Sequence, residues 1–562
     1  MSLTAATRYL SALVEHGIES LFVNAGTDFA PIVEAYAINK KSGGPELPKP
    51  VLCAHENLAG GMAHGAALVS GRPQAVMLHV NVGTANVVCA VATAARDNVP
   101  LLVTAGRSPI LEYGATGARD LPIHWSQEMF DQASMVREFV KWDYELRDPR
   151  QVDAVVDRAL SVATSHPRGP VYLSLPREVL AEPATIEAGP RAHTPVPTAI
   201  SPDPEAVERV ADWIAAAKFP VIVATASGAE QESVALLADC CSRFAIGVAD
   251  SWARYLNIPA DHPHRLGSDV GAVFKQADVV IFLESDVPWV QVREAPAEDC
   301  RIVQVGVDPL FSTYPIRSHR SDLNISTTPA AFLRRLSAAL EARAGGIDPQ
   351  RAGRIRSVAA VTRETIAAQL QKEAESDEAA PMTKATISAV LGELLTADDI
   401  IFNEYVGQPD LLKRTRAGTY FFLPASGGLG WGLPAALGAK YAAPERTVVA
   451  TLGDGAYMFA NPAACHHAAA KHNLPILTVL ANNSQWWAVD LATHLVYPDG
   501  RAAQEDRFSN LSPSPDFAAY CTASGGYGVT VHRRGELKAA LQEALRIVRE
   551  ERRQALVDVR CV

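Results

Sequence analysis

Short apolar runs rich in Val, Ile and Leu alternate with longer, alanine-rich stretches along the whole chain. In the first third, this pattern predicts helices at residues 57–70 and 85–96, and strands at residues 21–24, 75–80, 101–104 and 169–176. Strands that alternate with helices are typical of parallel sheets covered by helices. The pattern therefore predicts an α/β protein.

The same alternation starts again twice, which predicts three α/β domains with doubly wound parallel sheets. A Pro- and Ala-rich passage at residues 181–204 separates the first domain from the second. A charged, helical segment at residues 345–380 ends at a proline and separates the second domain from the third. We therefore predict domains at residues 1–185, 200–345 and 381–562.

Composition and charge narrow the class of protein. With 48% hydrophobic and 20% charged residues, the chain can bury several cores, and its formal charge of −11 shows no basic face for a nucleic acid. The eight cysteines are too sparse for a disulfide scaffold, and the pattern predicts no export signal and no membrane span. We therefore expect a cytoplasmic protein that acts on a small molecule.

The segment Gly453-Asp454-Gly455 follows one apolar strand, and Asn482-Asn483 ends a second. Because ligands gather at the carboxyl ends of parallel strands, a carboxylate and an amide oxygen are expected at the same place. Such oxygen ligands suit Mg²⁺ or Ca²⁺, and glycines let backbone N–H groups approach a phosphate. The sequence predicts a diphosphate and metal site here, with an ordinary turn as the alternative.

The spacing of these motifs resembles the signature of the thiamine diphosphate (ThDP) enzymes of the 2-oxo-acid decarboxylase and acetolactate synthase-like superfamily. The resemblance covers essentially the whole chain and implies pyrimidine-binding, central and diphosphate-binding domains, in that order. It implies that Mg²⁺ is bound by Asp454, Asn483 and the backbone of Gln485. The residues implied around the cofactor diphosphate and its metal are Gly453, Asp454, Gly455, Ala456 and Asn483.

A second motif at residues 54–65 opens a predicted helix with a carboxylate and continues with small residues. In the resembling family, this glutamate hydrogen-bonds N1′ of the cofactor aminopyrimidine, so the resemblance implies that Glu56 activates the cofactor by sharing a proton. The alternative is an acidic residue that interacts favourably with the helix dipole.

A third motif at residues 424–434 is rich in glycine, which lets the backbone approach a planar ring. By resemblance, Leu429 would bend the cofactor and Gly427 would offer a carbonyl to its 4′-amino group. A glycine-rich turn before a packed helix is the alternative. Where the decarboxylases place hydroxyl residues before the diphosphate, this chain has the segment Asn403-Glu404-Tyr405-Val406-Gly407-Gln408, so phosphate contacts there would have to use backbone N–H groups.

The substrate pocket is predicted around His79, which follows Glu56 by 23 residues. This resembles the benzoylformate decarboxylase arrangement, in which a histidine meets the substrate. An imidazole could hold a substrate carboxylate or relay a proton, and a satisfied core histidine is the alternative. His124, Gln127 and Glu128 follow a loop and resemble a Gln-Glu pair of the acetolactate synthases. A solvated helix start explains these three residues equally well. The pocket candidates are Thr27, His79, Gln127, Trp486 and Trp487.

The resemblance implies a ThDP- and Mg²⁺-dependent lyase or carboligase that breaks or forms a carbon–carbon bond next to a carbonyl. Non-oxidative decarboxylation of a 2-oxo acid is favoured, and an acetolactate synthase-like transferase, a 2-hydroxyacyl-CoA lyase and a catalytically silent binding protein are the alternatives. FAD or ADP in the central domain is also left open. Glu56 and Asp454 belong to different predicted domains, and the resemblance implies that the family arrangement brings them together across a subunit interface, so we expect a homodimer or homotetramer.

Overall fold

The computed structural model describes residues 4–184, 194–198, 200–501 and 508–562. The chain forms two compact units. The first unit comprises residues 1–197, 423–531 and 542–560, and the second comprises residues 198–422, 532–541 and 561–562. Residues 185–193 and 199, which belong to the predicted first linker, lie outside the described residues.

The N-terminal part of the first unit is a parallel sheet with the strand order β2-β1-β3-β4-β6-β5. Its strands are β1 (Ser20–Val23), β2 (Lys49–Leu52), β3 (Gln74–Leu78), β4 (Leu101–Arg107), β5 (Asp143–Glu145) and β6 (Val171–Pro176). Its helices are α1 (Ala5–Glu15), α2 (Ala30–Ser42), α3 (Glu56–Ser70), α4 (Val80–Arg96), α5 (Ile123–Ser126), α6 (Val152–Thr164) and α7 (Arg177–Ala181). Strands β1 and β6 are buried along their whole length, which explains their continuous apolar sequences.

The second unit contains a parallel sheet with the strand order β11-β10-β9-β7-β8, and the pair β12 and β13 is also parallel. The strands are β7 (Pro220–Ala224), β8 (Gly247–Asp250), β9 (Val279–Leu283), β10 (Arg301–Gly306), β11 (Leu323–Ser326), β12 (Ile400–Glu404) and β13 (Tyr420–Phe422). The helices are α8 (Pro204–Ala216), α9 (Glu232–Phe244), α10 (Val270–Phe274), α11 (Pro329–Glu341), α12 (Arg351–Glu375), α13 (Lys384–Leu394) and α14 (Pro409–Leu412).

The C-terminal part of the chain adds parallel strands in the order β14-β15-β17-β16. These strands are β14 (Val448–Gly453), β15 (Leu477–Asn482), β16 (Tyr527–Val531) and β17 (Ala555–Arg560). The helices are α15 (Gly432–Ala442), α16 (Asp454–Phe459), α17 (Pro462–Lys471), α18 (Trp487–Val496), α19 (Phe517–Thr522) and α20 (Arg534–Arg546). The prediction of an α/β fold built on three parallel sheets is confirmed, while the three domain limits stay a prediction.

Helix α3 packs closely on α15 inside the first unit. A Cβ atom at Gly65 would lie 1.9 Å from the carbonyl oxygen of Ala435, so the two helix backbones approach each other where only a glycine fits. The Nε1 of Trp431 donates a 3.3 Å hydrogen bond to Nδ1 of His64 across the same contact. This packing fixes α3, the helix that Glu56 opens.

The largest difference from the predicted bounds in this unit lies at the start of α4. The helix predicted to begin at residue 85 begins at Val80, directly after His79, which is its N-cap. Val80 has φ +34°, and the polar residues that follow His79 belong to the first turns of the helix. No helix in the described part of the chain combines the length and apolar character needed to span a bilayer.

Candidate functional site

Asp454 lies where β14 passes into α16. Gly453 is the last residue of the strand, and the side chain of Asp454 is 2% exposed. Burial raises the pKa of this carboxyl above its ordinary value, whereas hydrogen bonds from the backbone N–H groups of Gly455 and Ser484 act in the opposite direction. Because Ser484 follows β15, this contact brings the ends of the two neighbouring strands together.

The two asparagines at the end of β15 have different surroundings. Asn482 is 2% exposed, and its Nδ2 donates a 3.0 Å hydrogen bond to Oδ1 of Asp558. Its Oδ1 accepts hydrogen bonds from the backbone N–H of Ser484 and from the hydroxyl of Ser514. Asn483 is half-buried, and no hydrogen bond within the described residues holds its side chain. Of the two amides, that of Asn482 is therefore held by its neighbours, and that of Asn483 has no such partner among the described residues.

Gln485 lies in a short segment that pairs with residues 509–511. The backbone N–H of Trp486 donates to the carbonyl of Ser509 at 2.7 Å, and Gln485 forms an antiparallel bridge with Asn510. This pairing fixes the backbone next to Asn483. In the described residues, no cluster of three His, Cys, Asp or Glu side chains could hold a metal. The predicted Mg²⁺ ligands would not form such a cluster, because they are the carboxylate of Asp454, the amide of Asn483 and the backbone carbonyl of Gln485.

The two tryptophans predicted to line the pocket lie in different environments. The ring of Trp486 packs against Gly455, where a Cβ atom would lie 2.3 Å from Cζ3, and its centroid is 5.4 Å from that of Phe459. Trp487 is 50% exposed at the start of α18, a helix with no buried residue. Trp486 therefore covers the Gly453-Asp454-Gly455 turn, and Trp487 faces outward from the first unit.

Glu56 opens α3 and is 8% exposed. Its Oε2 accepts a 3.0 Å hydrogen bond from Nδ2 of Asn86, which lies on α4. Nδ1 of the preceding His55 accepts the backbone N–H of Asn57 at 3.1 Å and so caps the helix. The carboxylate is thus held at one oxygen by an uncharged donor. Oε1, the other oxygen of this buried acid, accepts no hydrogen bond from the described residues.

His79 forms a buried pair with Asp28. Its Nδ1 lies 2.5 Å from Oδ1 of Asp28, and the side chains are 17% and 3% exposed. This hydrogen bond raises the pKa of the imidazole above its ordinary value, burial opposes the shift, and the nearby Glu56 charge also raises it. Nε2 of Gln127 lies 3.4 Å from Nε2 of His79. The structure therefore brings His79, Gln127 and Glu56 into one neighbourhood.

The remaining pocket candidates take other positions. Thr27 is exposed beside Asp28. His124 is 3% exposed, and its Nδ1 accepts the backbone N–H groups of Asp120 and Leu121, so the interpretation as a solvated helix start is wrong for this residue. Glu128 is bound by two arginines at the end of β4 and in the following loop, Arg107 and Arg119. These contacts give His124 and Glu128 a structural role in the loop.

The glycine-rich motif before α15 folds as a tight turn. Gly427 has φ +71°, and its carbonyl accepts the backbone N–H of Leu429 at 2.9 Å. The hydroxyl of Ser426 lies 3.1 Å from that of Thr93 on α4. Leu429 is half-buried in this turn. The motif is therefore seated against the same helix that carries Asn86.

Two residues of this neighbourhood were missed by the sequence interpretation. The sequence interpretation named Thr27 as the pocket candidate and not its neighbour Asp28, a buried carboxylate in the short turn that follows β1. Asn86 is 30 residues from Glu56 in sequence, and nothing in the pattern marks it as a partner. Its position on the face of α4 that meets the start of α3 is a tertiary feature.

The donors found here fit the cofactor that the motifs imply. A diphosphate-bound Mg²⁺ requires oxygen ligands, which Asp454, Asn483 and Gln485 carry at the meeting ends of β14 and β15. A neutral heterocycle next to Glu56 requires a buried acid in a defined orientation, which Asn86 provides. The described residues offer both halves of such a site within the first unit.

Comparison with known proteins gives relatives of similar length. The chain is 27% identical to sulfoacetaldehyde acetyltransferase of Rhodobacter capsulatus, over 97% of this chain and 92% of that protein. It is also 27% identical to benzoylformate decarboxylase of Pseudomonas aeruginosa, over 95% of each chain. The crystal structure of benzoylformate decarboxylase from Polynucleobacter necessarius has the same fold, with a TM-score of 0.81 and 20% identity over 100% of this chain and 98% of that one.

Three family models of thiamine pyrophosphate enzymes match the chain in order. The N-terminal TPP binding domain matches residues 3–135, the central domain residues 207–336, and the C-terminal TPP binding domain residues 406–559. The first match contains Glu56 and His79, and the last contains Asp454 and Asn483. The chain therefore belongs to the family of thiamine pyrophosphate-dependent enzymes.

Proposed function

We propose that this protein is a ThDP- and Mg²⁺-dependent enzyme that decarboxylates a 2-oxo acid without oxidation. The observation that carries the proposal is the neighbourhood of Glu56 and His79, where a buried acid held by Asn86 lies near an imidazole held by Asp28. A relative of similar length, benzoylformate decarboxylase, supports the reaction class. The substrate would carry an anionic group next to its reacting carbonyl.

The cofactor would be bound by groups from both ends of the chain. Asp454, Asn483 and the carbonyl of Gln485 would hold Mg²⁺ and, through it, the diphosphate. The carboxyl group of Glu56 would hydrogen-bond the pyrimidine ring through Oε1, since Oε2 is occupied by Asn86. Bound ThDP supplies the nucleophile and the electron sink that allow a bond next to a carbonyl to break.

On the substrate side, His79 and Gln127 would act through Nε2 and the side-chain amide. Because Asp28 raises the pKa of His79, the ring carries a proton over a wider range of neutral pH than a free histidine. An imidazolium can hold the substrate carboxylate before it leaves as CO₂. The same ring can then donate the proton from Nε2 to the carbon that lost the carboxylate.

A second candidate is acyl transfer to an acceptor other than a proton. The similarity to sulfoacetaldehyde acetyltransferase favours this reaction. That enzyme and benzoylformate decarboxylase are both 27% identical to this chain. In this reaction His79 would bind an anionic group of a substrate rather than deliver a proton. Comparing the products formed with and without a second carbonyl compound separates the two reactions.

We further propose that the protein acts as a homodimer or a larger assembly. All residues of α18 are at least partly exposed, and several are large and apolar, such as Leu495 at 61% and Val496 at 65%. A second apolar segment of the first unit includes Tyr113 at 85% and Phe130 at 110% exposure. Exposed apolar surface of this kind is typical of an interaction site.

FAD or ADP bound in the second unit is the alternative that the sequence leaves open. At the carboxyl end of β9, Oε1 of Glu284 accepts the backbone N–H of Val307 at 2.8 Å. Oδ2 of Asp286 accepts the hydroxyl of Tyr314 at 2.8 Å. FAD or ADP at this end of the sheet would have to displace such contacts. A visible flavin absorption band in the purified protein would establish the alternative.

The test of the proposed function is CO₂ release from a panel of aliphatic and aromatic 2-oxo acids, with and without ThDP and MgCl₂. We expect turnover of at least one acid that requires both additions. The expected product is the aldehyde with one carbon fewer. Failure to bind ThDP in the presence of Mg²⁺ would instead support a catalytically silent protein with this fold.

A further inference from the structure

His79 is held from one side by a carboxylate that is nearly inaccessible to solvent. Oδ1 of Asp28 lies 2.5 Å from Nδ1 of His79, and Asp28 is 3% exposed. The second oxygen, Oδ2, lies 3.4 Å from the backbone N–H of Val80. A buried carboxylate is stable only when its oxygens are paired with donors. Both oxygens of Asp28 are therefore directed at the single junction between β3 and α4.

The surrounding backbone leaves room for this pair and for little else. A Cβ atom at Gly26 would lie 2.1 Å from Nδ1 of His79. A Cβ atom at Gly106 would lie 1.7 Å from Oδ2 of Asp28. Any larger residue at either position would therefore displace the imidazole or the carboxylate.

The junction is also strained at the residue after His79. Val80 has φ +34°, a conformation that β-branched residues rarely adopt. Strain of this kind persists where the surrounding structure holds it, and it is concentrated at functional sites. The contact between Oδ2 of Asp28 and the N–H of Val80 is one of the interactions that holds it.

We propose that Asp28 is a positioning residue that fixes the His79 ring with its proton on Nδ1, so that Nε2 is the atom presented to the substrate. A hydrogen bond to one ring nitrogen sets the tautomer, and the other nitrogen is then free for chemistry. Nε2 lies 3.4 Å from the amide nitrogen of Gln127, on the side away from Asp28. The inference rests on the proposed function only for the role of Nε2 in the reaction.

The charged groups that face His79 are few. Asp28 comes from the turn after β1 and Glu56 from the start of α3, while Gln127 is uncharged. The negative charge of Asp28 is the one in direct contact. Neutralising it should therefore lower the pKa of His79 by about one unit or more, because an adjacent opposite charge shifts a pKa by roughly 1–3 units.

The test is a ¹⁵N NMR titration of the histidine rings in the full-length protein, with His79→Gln used to assign the signal. In the wild type we expect the neutral ring to be protonated at Nδ1. In Asp28→Asn we expect the His79 titration to move to lower pH and the tautomer preference to weaken, while Asp28→Glu retains part of the shift.

The matched control is Asp97→Asn, since Asp97 forms another buried pair with a histidine in the same unit, at 3.2 Å from His64. This variant should leave the His79 titration unchanged. An Nε2-protonated ring in the wild type, or an unchanged titration in Asp28→Asn, would overturn the proposal. The wild-type measurement decides the tautomer even if an Asp28 variant does not fold.

A second readout is the pH profile of kcat/KM on whichever acid the enzyme turns over. If protonated His79 is the active form, the alkaline limb of Asp28→Asn should move to lower pH by the same amount as the NMR titration. A uniform loss at all pH values, with no shift, would reduce Asp28 to a structural role. If no acid is turned over, the proposed function fails, whereas the NMR result still decides the positioning of His79.

Discussion

Asn482 and Asp558 are hydrogen-bonded at 3.0 Å across the ends of β15 and β17, in a fully buried position. This bond commits the Asn482 amide to the fold. The neighbouring Asn483 is left as the side chain that can serve as a ligand, although the two residues have the same chemistry. The order of the two asparagines in the sequence does not show which one is the ligand. Their hydrogen-bond partners in the structure do distinguish them.

Asn483→Ala should weaken Mg²⁺-dependent binding of ThDP at least tenfold and leave the thermal midpoint of the unliganded protein nearly unchanged. Asn482→Ala should lower the free energy of unfolding by about 1–3 kcal/mol, because Asp558 would lose a buried donor. Isothermal titration calorimetry and thermal melts measure the two effects. If Asn482→Ala abolished the Mg²⁺ dependence while Asn483→Ala bound normally, the assignment would be reversed.

Glu56→Gln should reduce kcat by about 10²–10⁴-fold, the usual contribution of a positioned proton donor or acceptor. Binding of ThDP should persist, since the amide keeps the size of the acid. Glu46→Gln, a change of an exposed glutamate in the same unit, is the control and should have no effect. Wild-type turnover in Glu56→Gln would show that this carboxylate does not share a proton with the cofactor.

Asn86→Ala should lower kcat by roughly tenfold or more, because a hydrogen bond to a charged group contributes about 1.5–3 kcal/mol. The reason is that Oε2 of Glu56 would lose its donor and the carboxylate its fixed orientation. Steady-state kinetics at saturating ThDP separate this effect from weaker cofactor binding. Equal turnover in the variant and the wild type would limit Asn86 to packing.

Leu495→Asp should shift the protein from a dimer or tetramer towards the monomer and reduce activity more than tenfold. A charge on the exposed apolar face of α18 would be buried in the proposed interface at a high desolvation cost. Ile316→Asp, at an 86% exposed position of the second unit, is the matched control. Sedimentation velocity gives the mass of each variant, and a fully active monomeric wild type would contradict the proposed assembly.

Glu284→Gln should make the stability of the protein less dependent on pH. Burial raises the pKa of Glu284 from 4.5 to about 7, so the folded state binds its proton more tightly than the unfolded state does. The wild type should therefore lose up to about 3 kcal/mol as pH rises from roughly 4.5 to 7. Thermal melts at pH 5 and pH 8 should show a smaller difference for the variant than for the wild type.

Glutamine has the same shape as glutamate, so it should tolerate the φ of +49° at this position equally well. We therefore expect no additional loss of stability that is the same at both pH values. Glutamine also retains an oxygen that can accept the N–H of Val307. An equal destabilisation of the variant at pH 5 and pH 8 would show that folding does not raise the pKa of this carboxyl group.

Much of the fold was accessible from the sequence because its information is local. Apolar runs such as those of β1 and β6 were predicted to within two residues of the bounds that the structure has, since strands covered on both faces must be apolar throughout. The Gly453-Asp454-Gly455 turn was placed correctly between a strand and a helix for the same reason. The start of α4 was misplaced because the positive φ of Val80 leaves no mark in the residue types.

The sequence by itself determined the α/β class and the order of the motifs, and it predicted Glu56 and Asp454 as the acids of the site. Only the tertiary structure decided which groups hold them: Asn86 against Glu56, Asp28 against His79, and Asp558 against Asn482. The physical reason is that hydrophobic periodicity is set within one element, whereas the partner of a buried polar group is whichever donor or acceptor another element brings to it. The two members of such a pair are far apart in the sequence. Because both are buried, each polar group must find a hydrogen-bond partner.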